Sequence, residues 1–439
     1  MQKKDLDEWL SEWTFKNREK GRYTHSIHKY PAVFIPELAD KIISMYSNEG
    51  DVVLDIFSGS GTSVLESIVN KRIGMGIELN PLAYFISRFK IKPIDVNELG
   101  ENIAELYDDF KNHHEFSIKS FDNDIFWFSE ITLNSISKYL SYIERFSYDS
   151  YCFFKVCLSE IIRDISFCNH NGFKMHKDKN KESTSNYDDD KLLESLSSVI
   201  SRNFKYVKSY RELIDSNSDY KRIIDKSCIY NHNTTMLHEN IKPNSVDLII
   251  TSPPYGDSKT TVAYGQFSRL SMQIFGMDPV GDSKITQVDN ELLGGKIKGI
   301  DPFDYSTKSL TLQNIQELFI SRASLCEDKK GKKRHLDRLK DILSFYTDLD
   351  LAIKNASVYL KKDKYFVLIT ASRVVHNTKL HTDQIISELS YGYGFKLKNI
   401  HYRDIHNKRM PSRVSATNVV GETAPTMTEE SIIVFKKIK

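Results

Sequence analysis

Two short stretches carry the residue types best suited to chemistry. The first is Thr251-Ser252-Pro253-Pro254-Tyr255, which closes an apolar, β-favouring run at 247–251. Consecutive prolines offer no N–H, so they end a strand's ladder. They also keep the chain extended, so that a carbonyl can point out of the strand end. Such a set suits reaction at an exocyclic base amine, whose lone pair is delocalised into the ring. The Ser252 hydroxyl and the Pro253 carbonyl would accept from its two hydrogens and favour a pyramidal nitrogen. Pro254 would keep the turn rigid, and Tyr255 would stack on a base swung out of a duplex. The plainer alternative is a proline-ended turn with a packing tyrosine.

The second stretch is Gly59-Ser60-Gly61-Thr62-Ser63, a glycine turn through which a ligand can approach the backbone. A phosphate loop would need a lysine that is absent here, and a dinucleotide fingerprint would need glycine where Val64 stands. What remains is a nucleoside cofactor without phosphate. Asp55 precedes the turn and is placed to receive the amino group of a methionine moiety, directly or through water. Glu78 lies 17 residues after Gly61, near the place where an acid binds ribose hydroxyls in Rossmann-type sheets.

The elements needed to hold these residues are legible as texture. Apolar runs at 51–56 and 72–78 predict strands, with helices at 62–69 and 81–90, the latter opening on a proline. Strand, glycine turn, helix, strand, helix is the start of an α/β unit with a parallel sheet. Helical spacing at 127–145, 152–167 and 192–214 predicts a mainly helical insertion over 96–226, with a polar loop at 174–190. Strand texture returns at 245–251, and a polar stretch follows to about 340. A helix at 342–359, a strand at 365–370, a helix at 382–390 and strands at 395–402 and 431–435 complete the chain. The expected division is a cofactor-binding part at 1–95, the insertion at 96–226 as a candidate for target recognition, and a catalytic part at 227–439. The catalytic part carries a DNA-facing insertion at about 256–341.

Composition sets limits. The 439 residues are 40% hydrophobic and 27% charged, with a formal net charge of +2. That fits a soluble globular protein whose positive charge, if it meets nucleic acid, must be local. The five cysteines lack metal or disulfide spacing. No run approaches a membrane span and the amino end lacks a signal-peptide core, so a cytoplasmic protein is expected. Between 329 and 340 stand seven Lys/Arg and one Asp; this run could bind phosphates or be a solvated loop.

Together these blocks resemble the amino-group DNA methyltransferases, the cytosine-N4 and adenine-N6 enzymes of restriction–modification systems. The resemblance covers 22–95 and 228–439. It implies a Rossmann-like methyltransferase sheet with a helical insertion, and S-adenosylmethionine as cofactor. Residues 55–62 resemble the cofactor loop, which implies that Asp55, Phe57, Ser58, Gly59, Gly61 and Thr62 bind it. Residues 76–81 resemble the ribose block, with Glu78, Leu79 and Asn80. Residues 25–36 resemble the block that closes over the methionine end, with Tyr30 and Pro31. The family's acid after the third strand falls at Asn233, which departs from the pattern but can still hydrogen-bond the adenine amine. Ser252, Pro253, Pro254 and Tyr255 match the catalytic block. Residues 401–412 resemble the loop facing the target base, which places Lys408, Arg409 and the nearby Arg413 on DNA. Lys396, Lys398 and Arg403 extend that basic cluster.

In this family Ser at the first motif position favours cytosine N4, whereas Asp or Asn is typical of adenine-N6 enzymes; adenine is the alternative. The expected partner is double-stranded DNA, with a separate cognate restriction endonuclease as a potential second partner. Neither a membrane nor a metal is expected. Less favoured readings are methylation of RNA or of a protein amide, and a binding module on a degenerate methyltransferase fold.

Overall fold

The computed structural model describes residues 13, 15, 21–169, 172–256, 261–281, 283–295, 299–405 and 429–439, with backbone alone at Arg413–Ser415 and Thr423–Pro425. Eleven strands are described: β1 (Val52–Asp55), β2 (Ile73–Glu78), β3 (Cys228–Asn231), β4 (Val246–Thr251), β5 (Leu360–Thr370), β6 (Val374–Val375), β7 (Thr378–Lys379), β8 (Phe395–Asp404), β9 (Arg413–Ser415), β10 (Thr423–Pro425) and β11 (Glu429–Lys437). Seven of them form one sheet in the order β3-β2-β1-β4-β5-β11-β8, and β6–β7 and β9–β10 are separate pairs. The sheet is parallel except for β11, which runs antiparallel to both β5 and β8. This is a Rossmann-like methyltransferase sheet.

β4 is buried at all six positions, as a strand covered on both faces must be, and its sequence is accordingly a near-continuous apolar run. Asp247 is tolerated because it accepts from Val52 N at 3.1 Å and from Lys361 Nζ at 2.8 Å. Alternate strand residues feed two cores, as the two-residue repeat requires. Val53, Leu248, Ile250, Val367, Ile369, Ile432 and Val434 pack with helix α1 (Pro36–Tyr46). Leu54, Ile249, Phe366, Leu368, Ile433 and Phe435 face the opposite layer. On the β1–β2 side the chain forms α2 (Thr62–Val69) and α3 (Pro81–Ile91).

Residues 96–226 form α4 (Val96–Asp109), α5 (Glu130–Ile143), α6 (Tyr148–Ile165), α7 (Asp189–Asp215) and α8 (Asp219–Lys226). Buried side chains of α4 to α7 are continuous with Ile27, with Phe89 of α3 and with Leu270 and Ile274 of α9 (Tyr264–Phe275), while Tyr220 and Ile223 of α8 pack with α2. Asn203, fully buried on α7, donates to the Ile27 carbonyl at 2.9 Å. These helices therefore share a core with elements that border the site.

The polar stretch after β4 is more ordered than its composition predicts. It holds α9, α10 (Leu310–Ser324) and the beginning of α11 (Lys329–Tyr359). α11 starts 13 residues before the apolar spacing begins at Ile342. Asp328 caps it by accepting from Gly331 N at 2.7 Å, which supplies one of the first-turn N–H groups with a partner. Lys329, Lys330, Lys332, Lys333 and Arg334 all project into solvent, so this part of the helix buries too little to show an apolar period. The core opposite α1 is supplied by α10, α11 and α12 (Thr382–Tyr391). Among the described residues no helix is long and apolar enough to cross a membrane.

Candidate active site

At the carboxyl end of β1 the chain turns sharply through glycines. Gly61 sits at φ +84°, and a Cβ there would lie 2.8 Å from Ser87 Cβ, so only glycine fits the start of α2. Gly59, at φ +51°, has open space where a Cβ would stand and donates its N–H to Glu78 Oε2 at 2.8 Å. Glu78 Oε1 accepts from Asn80 N at 2.7 Å. Burial pushes the Glu78 carboxyl up to about 7, against the pull of these two N–H groups.

Asp55 is buried at the neighbouring strand end. Its Oδ1 accepts from Phe57 N at 2.9 Å and from the Thr251 hydroxyl at 2.6 Å, and its Oδ2 accepts from the Ser63 hydroxyl. Burial raises its pKa, and the three donors oppose the shift. One carboxylate thus joins the end of β1, the end of β4 and the first turn of α2. A single lone pair, on Oδ2, is left for a ligand.

A cleft opens over these ends, at the carboxyl ends of the strands where open α/β sheets bind ligands. It gathers Tyr30, Pro31, Asp55, Phe57, Ser58, Gly59, Thr62, Glu78, Leu79 and Asn233 with Ser252 and Pro254. It lies beside the β1–β4 junction, where the strand order reverses and where open α/β sheets place ligands. Thr62 Oγ1, Thr234 Oγ1 and His232 Nε2 are buried without a hydrogen-bond partner among the described residues, and all three residues line the cleft. Unpaired buried polar atoms in a cleft wall fit a polar nucleoside ligand.

Four expected site residues lie outside the lining. Gly61 serves the turn. Asn80, fully buried, caps α3 through Leu82 N at 3.0 Å and ties it to α9 by donating to Ser268 Oγ at 3.0 Å. Pro253 is buried beneath the strand end, and Tyr255 is turned towards β11, where its phenol donates to Glu430 Oε1 at 2.9 Å. The Asn233 amide oxygen already accepts from Thr235 N at 3.0 Å and Thr235 Oγ1 at 2.8 Å. Both lone pairs of that oxygen are engaged by Thr235 in this structure, which leaves the Nδ2 group as a donor. His25 and His28 also stay below the cleft: His25 Nε2 meets Glu66 Oε1 at 2.7 Å, and burial pushes the His28 imidazole down to about 4.

Several lining residues escaped the sequence reading. Tyr264 of α9 stacks on Tyr30 at 6.0 Å, and Phe267 packs edge-on to Tyr30 at 5.6 Å. Glu291, Leu292 and Leu293 cover the cleft from the polar stretch. That segment is pinned at both ends: Asp289 accepts from Gly265 N and Gln266 N, each at 2.9 Å, and Gly294 N donates to Asp348 Oδ2 at 2.9 Å. The pair of leucines before Gly294-Gly295 was the only signal, and apolar dipeptides are too common to be read.

The expected basic cluster separates. Lys408 and Arg409, and the side chain of Arg413, lie outside the described residues. Arg403 is 4% exposed, and its Nε donates to Glu430 Oε2 at 2.6 Å, so it does not face solvent. Lys396 and Lys398 are at the amino end of β8, and at ~3.3 Å per residue Lys398 lies roughly 20 Å from Asp404 at the active end. Among the described residues no group of three or more His, Cys, Asp or Glu side chains is placed to hold a metal.

Comparison with known proteins adds an independent line. A family model described as DNA methylase, covering N6 and N4 enzymes, matches residues 2–88. The chain is 34% identical over 441 residues to the Type II methyltransferase M.MvaI of Kocuria varians, across 96% of this chain and 93% of that protein. It is 24% identical over 275 residues to the Type II methyltransferase M.BsoBI of Geobacillus stearothermophilus, covering 54% of this chain and 50% of the relative. Over 69 residues it is 44% identical to the Type II methyltransferase M.BamHI of Bacillus amyloliquefaciens, 16% of each chain.

The brace at Asp55 is testable. Asp55→Ala leaves the hydroxyls of Thr251 (0% exposed) and Ser63 (1% exposed) without their acceptor. Stability in urea is expected to fall by about 2–4 kcal/mol, and a loss under about 0.5 kcal/mol would show the brace to be dispensable.

Proposed function

The chain belongs to the amino-group Type II DNA methyltransferases, and on that premise we propose that it methylates the exocyclic N4 amine of cytosine in double-stranded DNA, with S-adenosylmethionine as donor. The observation that carries this reading is the meeting of Ser252 and Pro254 with Asp55, Gly59, Glu78 and Asn233 around one cleft.

The cleft residues fit that donor. Glu78 is placed to accept from the ribose hydroxyls, since each of its oxygens holds one N–H and keeps a lone pair. Leu79, Phe57 and the unpaired His232 and Thr234 suit the adenine ring, with Asn233 Nδ2 donating to a ring nitrogen. Thr62, Tyr30, Pro31 and the remaining lone pair of Asp55 suit the methionine end. S-adenosylmethionine, when bound, supplies a methyl group on a sulfonium, activated for in-line displacement. The chain's part is positioning. Ser252 Oγ and the Pro253 carbonyl hold the two amine hydrogens and turn the nitrogen lone pair towards the donor. Tyr255 stacks on the flipped base, and the Glu291–Leu293 cover keeps water from the reacting atoms.

Ser252 supports cytosine over adenine, because a neutral hydroxyl stands where adenine-N6 enzymes usually carry Asp or Asn. Adenine N6 is the alternative target of the same site. We assign phosphate contact to the exposed start of α11. It lies against the β6–β7 hairpin, which follows β5 at the active end: His335 and His376 meet at 3.4 Å, and Arg322 donates to the His376 carbonyl at 2.9 Å. The insertion at 96–226 and the stretch at 256–341 are the candidates for sequence reading. The setting is the cytoplasm, with any cognate nuclease acting separately.

Three outcomes are expected. Incubation of unmethylated DNA with labelled S-adenosylmethionine, followed by nucleoside mass spectrometry, should yield N4-methylcytosine; N6-methyladenine would replace the proposed base, and no methylated nucleoside would reject the activity. Cofactor affinity should fall as pH drops through about 7, by up to about tenfold per pH unit. The sign follows from Glu78: its raised pKa means that it gains a proton below 7 and loses acceptor capacity for ribose. Glu78→Gln should bind weakly at every pH in calorimetry, and an unchanged pH profile would remove Glu78 from the ribose site. Finally, changing Lys329, Lys330, Lys333 and Arg334 to Gln should lower the slope of log K against log salt for DNA by about 0.9 for each phosphate that is no longer neutralised, with cofactor affinity unchanged. An unaltered slope would return this helix end to a solvated role.

A further inference from the structure

Beyond the cofactor cleft, a buried charged pair on the far strands touches the catalytic segment. Glu430 of β11 and Arg403 of β8 are directly opposed in the antiparallel register and are 9% and 4% exposed. Arg403 Nε donates to Glu430 Oε2 at 2.6 Å, and the Tyr255 phenol donates to Glu430 Oε1 at 2.9 Å. β5 lies between β4 and β11, so the Tyr255 side chain crosses the end of β5 to reach this carboxylate. The following residue is closely approached: a Cβ on Gly256 would meet the Arg373 guanidinium.

A tyrosine that only packs needs no ionic partner. Burying an ion pair costs desolvation that its Coulomb attraction does not reliably repay, so such pairs are weak devices for stability. What this pair can supply is direction. A phenylalanine at 255 would be fixed by packing alone, whereas the tether holds the phenol oxygen and with it the first side-chain torsion, and the ring plane follows because the donated O–H prefers to lie in that plane. The tether runs to two paired strands, β11 and the edge strand β8.

We propose that Glu430 and Arg403 are positioning residues that lock the Tyr255 ring, before DNA arrives, in the orientation that receives the flipped base. The proposal rests on the reading of Tyr255 as the stacking surface. Arg403 fixes the Glu430 carboxylate, the carboxylate fixes the phenol, and the ring plane is set in the free protein. The contribution then belongs to the reacting complex and not to cofactor binding.

The test uses the full chain, unmethylated plasmid DNA and labelled S-adenosylmethionine. Single-turnover rate, KM for DNA, cofactor affinity and melting temperature are measured for Tyr255→Phe, Glu430→Gln, Arg403→Lys, Arg403→Ala and the double variant Tyr255→Phe/Glu430→Gln. Tyr255→Phe and Glu430→Gln are each expected to slow single turnover by about tenfold or more, with cofactor affinity unchanged. The double variant should be no slower than the slower single, because both remove the same tether. Arg403→Lys should retain more activity than Arg403→Ala. Multiplied losses in the double variant would overturn the proposal, as would a Glu430→Gln variant with lowered melting temperature and undiminished rate. If Glu430→Gln fails to fold, Tyr255→Phe decides, since it leaves the ion pair intact; a wild-type rate there also overturns the proposal. An unmodified chain that methylates no DNA would instead reject the function itself, an outcome distinct from failure of the clamp.

Discussion

Asp55 accepts from the Thr251 hydroxyl, the Ser63 hydroxyl and the Phe57 N–H at the point where two parallel strands end. A carboxylate buried there carries a desolvation cost, visible in its raised pKa, and its donors make that burial tolerable. The result is a fixed relation between the glycine turn after β1 and the proline pair after β4. The two segments are 196 residues apart in the chain at the Asp55–Thr251 contact. Methyl transfer depends on sub-ångström placement of donor and acceptor, so the geometry of the site descends from this brace.

Around that fixed pair the cleft is assembled from elements with little sequence character of their own. Tyr264 comes from the first turn of α9, whose N–H groups are satisfied by Asp289. The same acid anchors the segment bearing Leu292 and Leu293, so one side chain both caps a helix and positions the cover. Gly294, at φ +67° and with Phe345 Cα only 2.9 Å from where its Cβ would be, holds the other end of the cover against α11. The cover is therefore built into the packing of α9 and α11.

Charge is distributed by depth more than by total. The formal net charge is +2, yet five basic side chains stand exposed at the start of α11 while Arg403 is consumed by Glu430 inside the sheet. Counting basic residues near the expected base-facing loop put Arg403, Lys396 and Lys398 in one cluster. The strand register sends Arg403 inward and Lys396 and Lys398 to the opposite end of β8. A residue's direction and its distance along a strand are set by pairing, and pairing is a long-range property.

The sheet's class, the first two β–α units, the glycine turn after β1 and the proline-ended strand β4 were all legible in the amino-acid sequence. Each of these is written in local physics: glycines where positive φ or close approach is needed, prolines where a ladder must stop, and unbroken apolar runs for strands buried on both faces. Asp55, Glu78 and Ser252 were placed by the same local signals, because strand ends in a parallel sheet converge. What those residues touch was settled only when the chain folded. Folding spent three acceptor positions of Asp55 on structure, closed the Asn233 oxygen against Thr235, drew Asn80 under α9, and turned Tyr255 towards a carboxylate 175 residues away. It also extended α11 back through a basic segment whose apolar pattern is silent. Those outcomes depend on contacts between distant segments, which have no period and no local signature to read.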